Sequence, residues 1–203
     1  MICELKETGR ASALFAGWQD SVVWSAVQGV MGKIYVDSLE KPESGVVMLG
    51  DFCFLSGKTD SEVISGALAN SASREVILVP QNDDWLQMIE ECYGEKAEKT
   101  VRYAIKKEPG VFDLKQLQKV TQSLPGEYEM KLIDQTLFEI CRDTQWSKDL
   151  TANYESYSQY REYGLGVCIL KDGEVVAGIS SYSGYGRRSD ENLSCHGGIE
   201  IEV

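Results

Sequence analysis

Leu165-Gly166-Val167-Cys168-Ile169-Leu170 and Glu174-Val175-Val176-Ala177-Gly178-Ile179-Ser180-Ser181-Tyr182 are two apolar runs separated by Lys171-Asp172-Gly173. An Asp-Gly pair supplies the two left-handed positions of a tight hairpin turn, so this spacing predicts two antiparallel strands. Downstream, Gly197-Gly198-Ile199-Glu200-Ile201-Glu202-Val203 alternates apolar and acidic residues with the period of two that marks a strand. Upstream, Tyr128 to Asp134 reads as a strand. One helical pattern then runs from Leu137 through Ile140 towards Trp146, and a second from about Leu150 to Tyr163. The order is strand, helix, helix, strand, hairpin, strand, long polar loop, acidic strand.

The first half alternates in a similar way. Leu14, Phe15, Trp18, Val22, Val23, Val27 and Val30 recur at near-helical spacing, predicting one long amphipathic helix from about Ala11 to Met31. Strands are expected at Lys33–Asp37, Val46–Leu55 and Glu75–Val79, with a helix at about Ser61–Ala69 between the last two. Asn82-Asp83-Asp84 is a capping signal for a helix beginning at Trp85. Thr100 to Lys106 reads as another strand, and Asp113 to Val120 as a short helix. Leu124-Pro125-Gly126 then marks a junction. These elements predict α/β layers with a mixed, largely antiparallel sheet and flanking helices. Two units are expected, residues 1–125 and 126–203, and the loose repetition of element order suggests a degenerate tandem copy.

Composition limits the classes of function. The 203 residues are 43% hydrophobic and 26% charged, enough apolar material for buried cores and too little bias for disorder. The net charge of −12 opposes phosphate backbones and anionic membrane surfaces, so neither nucleic acid nor membrane is an expected partner. No apolar run approaches the roughly 20 residues needed to span a bilayer, and the first residues lack a signal pattern. The expected location is cytoplasmic.

The segments Ala13-Leu14-Phe15-Ala16-Gly17-Trp18, Gly50-Asp51-Phe52-Cys53-Phe54 and Gly198-Ile199-Glu200-Ile201-Glu202-Val203, with the element order of the last 75 or so residues, carry a resemblance. The chain resembles the GCN5-related N-acetyltransferase (GNAT) family, specifically a bacterial group with an extra N-terminal domain. The resemblance implies transfer of acetyl from acetyl-coenzyme A to an amine of an unidentified acceptor. In that family a loop of Arg or Gln, two residues, Gly, one residue, then Gly or Ala follows the fourth strand. It opens a helix whose N–H groups cradle the cofactor's pyrophosphate. The chain is expected to stop where that loop begins.

Within that resemblance, Glu200 and Glu202 are the candidate general bases. A carboxylate near the acceptor can take the amine's proton, and partial burial raises its usefulness by lifting its proton affinity towards the working pH. Ile201, Glu202 and Val203 become cofactor-contact candidates by position on that strand. The plainer reading of two glutamates alternating with apolar residues is a solvated strand face. Tyr154, Tyr157, Tyr160 and Tyr163 recur every third residue and either shape an acceptor pocket or pack on the sheet with polar tips at the rim.

The remaining signals argue against other chemistries. His196 is the single histidine, and beside Cys195 on a strand it points to the opposite face. Ser180 and Ser181 lack the Gly-x-Ser-x-Gly elbow of a serine nucleophile. The six cysteines, Cys3, Cys53, Cys92, Cys141, Cys168 and Cys195, show no metal-ligand spacing and read mainly as small buried thiols, so no metal site is expected. Gln28-Gly29-Val30-Met31-Gly32-Lys33 follows a helix and precedes a strand, the reverse of a phosphate loop, and Gly32 reads as a helix stop. The competing functional reading is a non-catalytic interaction protein whose terminal strand pairs with another chain, as in a homodimer.

Overall fold

The computed structural model describes residues 2–71, 75–101 and 110–186, and the backbone of 199–202. The first sheet contains β1 (Cys3–Glu4), β2 (Lys33–Val36), β3 (Ser44–Leu49), β4 (Phe52–Gly57) and β5 (Ile77–Pro80), in that spatial order. The first four strands pair antiparallel, whereas β5 runs parallel to β4. The helix α1 (Ser21–Val27) lies between β1 and β2, α2 (Ser61–Ala69) is the crossover between β4 and β5, and α3 (Asp83–Tyr93) follows β5.

A second sheet has the order β6 (Tyr128–Leu132), β7 (Gly166–Lys171), β8 (Glu174–Ser181) and β9 (Ile199–Glu202), antiparallel throughout. The chain enters it through α4 (Leu114–Gln122). Between β6 and β7 come α5 (Gln135–Asp143), a 3-10 turn at Lys148–Leu150, and α6 (Tyr157–Tyr163). Asp172 and Gly173 both have positive φ, 53° and 85°, as a type I′ turn requires between β7 and β8. Helix starts are fixed by side-chain caps: Asp60 accepts from Glu62 N–H at 2.8 Å, Asn82 from Trp85 N–H at 3.1 Å, and Asp134 from Leu137 N–H at 2.9 Å.

Several expectations need correction. Residues 11–31 do not form one helix: turns occupy 12–17, and α1 starts only after Asp20, whose backbone is extended. The near-helical spacing reflects two short segments burying the same core, tied where Trp24 Nε1 donates to the Trp18 carbonyl at 2.7 Å. Helix α1 ends at Val27, with Gly29 (φ 70°) just past its cap, rather than at Gly32, whose φ of 81° turns the chain into β2. Val46–Leu55 is not one strand but the β3–β4 hairpin, reversed at Gly50 (φ 55°). The helix expected from Leu150 is helical only from Tyr157, because Ser156 caps it by accepting from Gln159 N–H. The strand expected at Thr100–Lys106 falls mostly outside the described residues.

Two cores hold the molecule. Tyr35, Val46, Met48, Cys53 and Leu55 on one face of the first sheet pack against Val63, Ile64 and Ala67 of α2 and Trp85 and Ile89 of α3. The other core joins the two sheets: Ile34, Val36, Val47, Leu49 and Phe54 share a cluster with α1 and with Leu137, Phe138, Cys141, Tyr154, Tyr160 and Cys168. Burying this much apolar surface is the main stabilising term, at about 25 cal/mol per Å² removed from water. Polar ties cross the same boundary. Ser21 Oγ lies 2.9 Å from Ser183 Oγ, Ser25 Oγ donates to the Gly184 carbonyl at 2.7 Å, and Gln159 Nε2 donates to the Val30 carbonyl at 2.6 Å. Among the described residues, no helix is long and apolar enough to cross a membrane.

Candidate active site

The acidic strand β9 sits at one end of its sheet, paired only with β8 among the described residues. Its register places Glu200 opposite Ser180 and Glu202 opposite Gly178, whereas Ile199 and Ile201 face Ser181 and Ile179. Opposed residues on antiparallel strands lie on the same face. On β7 and β8 that face is the one covered by helices: Gly166, Cys168 and Leu170 are buried, and Cys168 Sγ lies 3.7 Å from Cys141 Sγ on α5. Glu200 and Glu202 therefore occupy register positions on the helix-covered face.

Two consecutive rows cross the sheet here. One contains Gly166, Ser180 and Glu200, the other Cys168, Gly178 and Glu202. Both rows include a glycine, so relief on this face is low. Into the first row α6 sends Tyr160, whose Oη lies 2.9 Å from Ser180 Oγ. A Cβ at Gly166 would collide with that hydroxyl, which explains a glycine within a strand. Burial pushes the Tyr160 phenol up to about 12, against a smaller opposing effect of its Ser180 hydrogen bond. Tyr154, which precedes α6, places its Oη 2.8 Å from Ser181 Oγ and packs edge-on to Tyr160 with ring centres 4.9 Å apart.

The tyrosine stripe thus divides. Tyr154 and Tyr160 are buried against the serines of β8, while Tyr157 lines a groove of about 580 Å³ between α5 and α6 with Phe138, Glu139, Arg142 and Arg161. Phe138 also packs on Tyr160, with ring centres 5.3 Å apart. The pairing of Ser180 and Ser181 with tyrosine hydroxyls was not visible in the sequence, because it joins residues 20 and 27 positions apart.

Val203, Cys195 and His196 lie outside the described residues. Cys53, Cys141 and Cys168 are buried, and burial pushes the Cys53 thiol up to about 12. Cys168 is raised by its hydrogen bond with Cys141 and by burial. Among the described residues no cluster of His, Cys, Asp or Glu converges to hold a metal ion.

A family model described as GNAT acetyltransferase matches residues 12–203. The chain belongs to the GNAT acetyltransferase family. The match takes in both sheets apart from β1. A GCN5-related N-acetyltransferase-like protein from Streptococcus suis 89/1591 has a similar crystal structure, with a TM-score of 0.80 and 36% sequence identity over 97% of this chain and 76% of that one. No curated protein matches the chain. Membership of this family makes acetyl transfer from acetyl-coenzyme A plausible and leaves the acceptor open.

Proposed function

We propose that this GNAT protein transfers acetyl from acetyl-coenzyme A to an amine, with Glu200 as the group that takes the amine's proton. The observation that supports this reading is the backbone register of β9, in which Glu200 is the Cα partner of Ser180 on β8. Acetyl-coenzyme A supplies the activated acetyl group as a thioester. The protein's part is to present a neutral amine, since an ammonium has no lone pair to attack with. A carboxylate accepting that proton, directly or through one water, typically contributes 10²–10⁴-fold to rate. The backbone of Ile201, Glu202 and Val203 would hold the pantetheine arm, and Glu202 is the second candidate carboxylate, two residues along the same strand.

Family membership supports this reading. Residues 1–125 and 126–203 are proposed as separate units, the first a degenerate copy of the second. In each, a strand and intervening helical structure precede three strands that pair antiparallel in sequence order, β1 to β4 in one and β6 to β9 in the other.

The test is release of coenzyme A thiol with a panel of primary amines. Glu200→Gln is expected to lower turnover at least 100-fold, in line with loss of a general base, while retaining acetyl-coenzyme A binding by calorimetry. Unchanged turnover in that variant would remove Glu200 from the reaction. The interaction-protein reading instead has β9 pair with a second copy of the chain. A folded dimer that neither binds acetyl-coenzyme A nor releases thiol would favour that reading instead.

A further inference from the structure

The groove of about 580 Å³ between α5 and α6 falls within the roughly 300–1,000 Å³ common for small-molecule sites. Its lining comes from those two helices and the Ser156 cap, with no strand residue. The path from it to β8 runs through buried rings: Phe138 packs on Tyr160, whose hydroxyl meets Ser180. The groove is therefore distinct from the register positions on β8 and β9, and the inference below does not rest on acetyl transfer.

Its charge runs against that of the chain. The protein carries 20 basic and 32 acidic side chains, yet the groove sets two guanidinium groups, Arg142 and Arg161, against one carboxylate, Glu139. That carboxylate is engaged by Gln135 Nε2, which donates to it at 3.0 Å. Among the described residues neither arginine forms an ion pair. Arg142 is nevertheless held in place: its Nη1 donates to the Glu155 carbonyl at 3.3 Å, and its guanidinium carbon lies 5.2 Å from the centre of the Phe138 ring. Most of its five N–H donors remain unspent. A group already ordered by the fold loses little freedom when it binds.

The apolar part of the groove is aromatic. Tyr157 is half-buried and meets Phe138 with ring centres 5.8 Å apart, and Arg161 follows Tyr157 by four positions, on the same face of α6. We propose that this groove is a binding site for a small anionic molecule with a flat apolar body. Its carboxylate or phosphate is held by Arg142 and Arg161, and its body lies against Phe138 and Tyr157. Arginine suits both anions because its planar fork of donors matches either. A cationic ligand meets two like charges here, and a neutral one leaves both guanidinium groups without a counter-charge.

The experiment is NMR titration of the 203-residue chain with phenyl phosphate and, separately, phenylacetate, with benzyl alcohol as the uncharged control. Arginine Nε–Hε signals and the Tyr157 ring are observed, the former assigned through Arg142→Ala and Arg161→Ala. At least one anion is expected to shift both arginines and Tyr157 saturably, with half-saturation below about 1 mM, while benzyl alcohol does not saturate. Whichever anion binds more tightly tells a phosphate from a carboxylate ligand. Arg161→Ala should weaken that binding about tenfold or more, as loss of a charge-assisted hydrogen bond implies. Arg142→Ala should do the same. Absence of saturation with both anions overturns the proposal, as does equal binding of benzyl alcohol. If Arg142→Ala does not fold, Arg161→Ala decides alone, since its exposed side chain supports no packing, and unchanged affinity in that variant also overturns the proposal.

Discussion

The Tyr182 hydroxyl donates to the Leu49 carbonyl at 3.2 Å, reaching from the segment just after β8 into the β3–β4 turn. The same oxygen accepts from Asp51 N–H at 3.2 Å, and the Tyr182 ring meets Phe52 edge-on with ring centres 5.3 Å apart. One side chain thus satisfies both polar groups flanking a turn in the first sheet while anchoring the segment that leaves the second. Tyr182→Phe keeps the ring contact and removes both hydrogen bonds. It is expected to cost about 1–2 kcal/mol in denaturant unfolding, with the slope unchanged. A loss below a few tenths of a kcal/mol would show that water replaces the hydroxyl without penalty.

Gly50, between Leu49 and Asp51, tests the same anchor from the other side. Its φ of 55° disfavours any residue with a Cβ, and that Cβ would collide with Tyr182 Oη and crowd Asn153 Oδ1. Gly50→Ala is expected to destabilise by about 2–3 kcal/mol, from backbone strain plus displacement of Tyr182. In the Tyr182→Phe background the steric part should shrink, so the double variant should lose less than the two single losses added together. Strict additivity measured by urea unfolding would argue against a shared contact.

These two residues also show why some of the architecture was legible in the sequence and some was not. Asp172-Gly173 and Asn82 were readable because turn and cap act over two to four residues and their chemistry is local. The β3–β4 reversal is not legible because Val46 to Leu55 is almost unbroken in apolar character, and the partner of its turn lies 131 residues from Asp51. The same limit applies to the candidate site. Alternation in Ile199 to Glu202 correctly marked a strand, but which of its faces is covered depends on pairing with β8, and period-two alternation carries no information about the neighbour. The motif around Ser180 speaks only to nucleophilic chemistry, whereas its environment is set by Tyr160 on α6.

Cysteine chemistry separates by burial. Cys53, Cys141 and Cys168 are at most 1% exposed, whereas Cys92 on α3 is exposed. The thiolate is the reactive species, and burial disfavours it at Cys53. Alkylation of the native protein at pH 8, read by peptide mass spectrometry, is expected to modify Cys92 rapidly and to leave Cys53 and Cys168 unmodified until denaturant is added. Labelling of Cys53 at the rate of Cys92 would mean that the packing of β4 against α2 and α3 opens readily.

The Tyr160 phenol predicts an alkaline limit to stability. Its folded value is raised to about 12 from an ordinary 10.0, so the native state favours the neutral form more than the unfolded chain does. Below pH 10 that preference is fully present, because neither state is ionised. Above pH 10 the unfolded chain loses the proton first, and the stability contribution falls away until the native group also titrates near 12. With two units separating the states, the loss at pH 11 relative to pH 8 is about 1.4 kcal/mol. Tyr160→Phe should remove that component, giving a shallower decline in unfolding free energy from pH 9 to 11 than wild type. Cys53, raised in the same direction, adds to the decline in both proteins, so the difference between them isolates the tyrosine. Parallel declines would mean that Tyr160 ionises in the native state at its ordinary value, which its burial against Gly166 and Ser180 opposes.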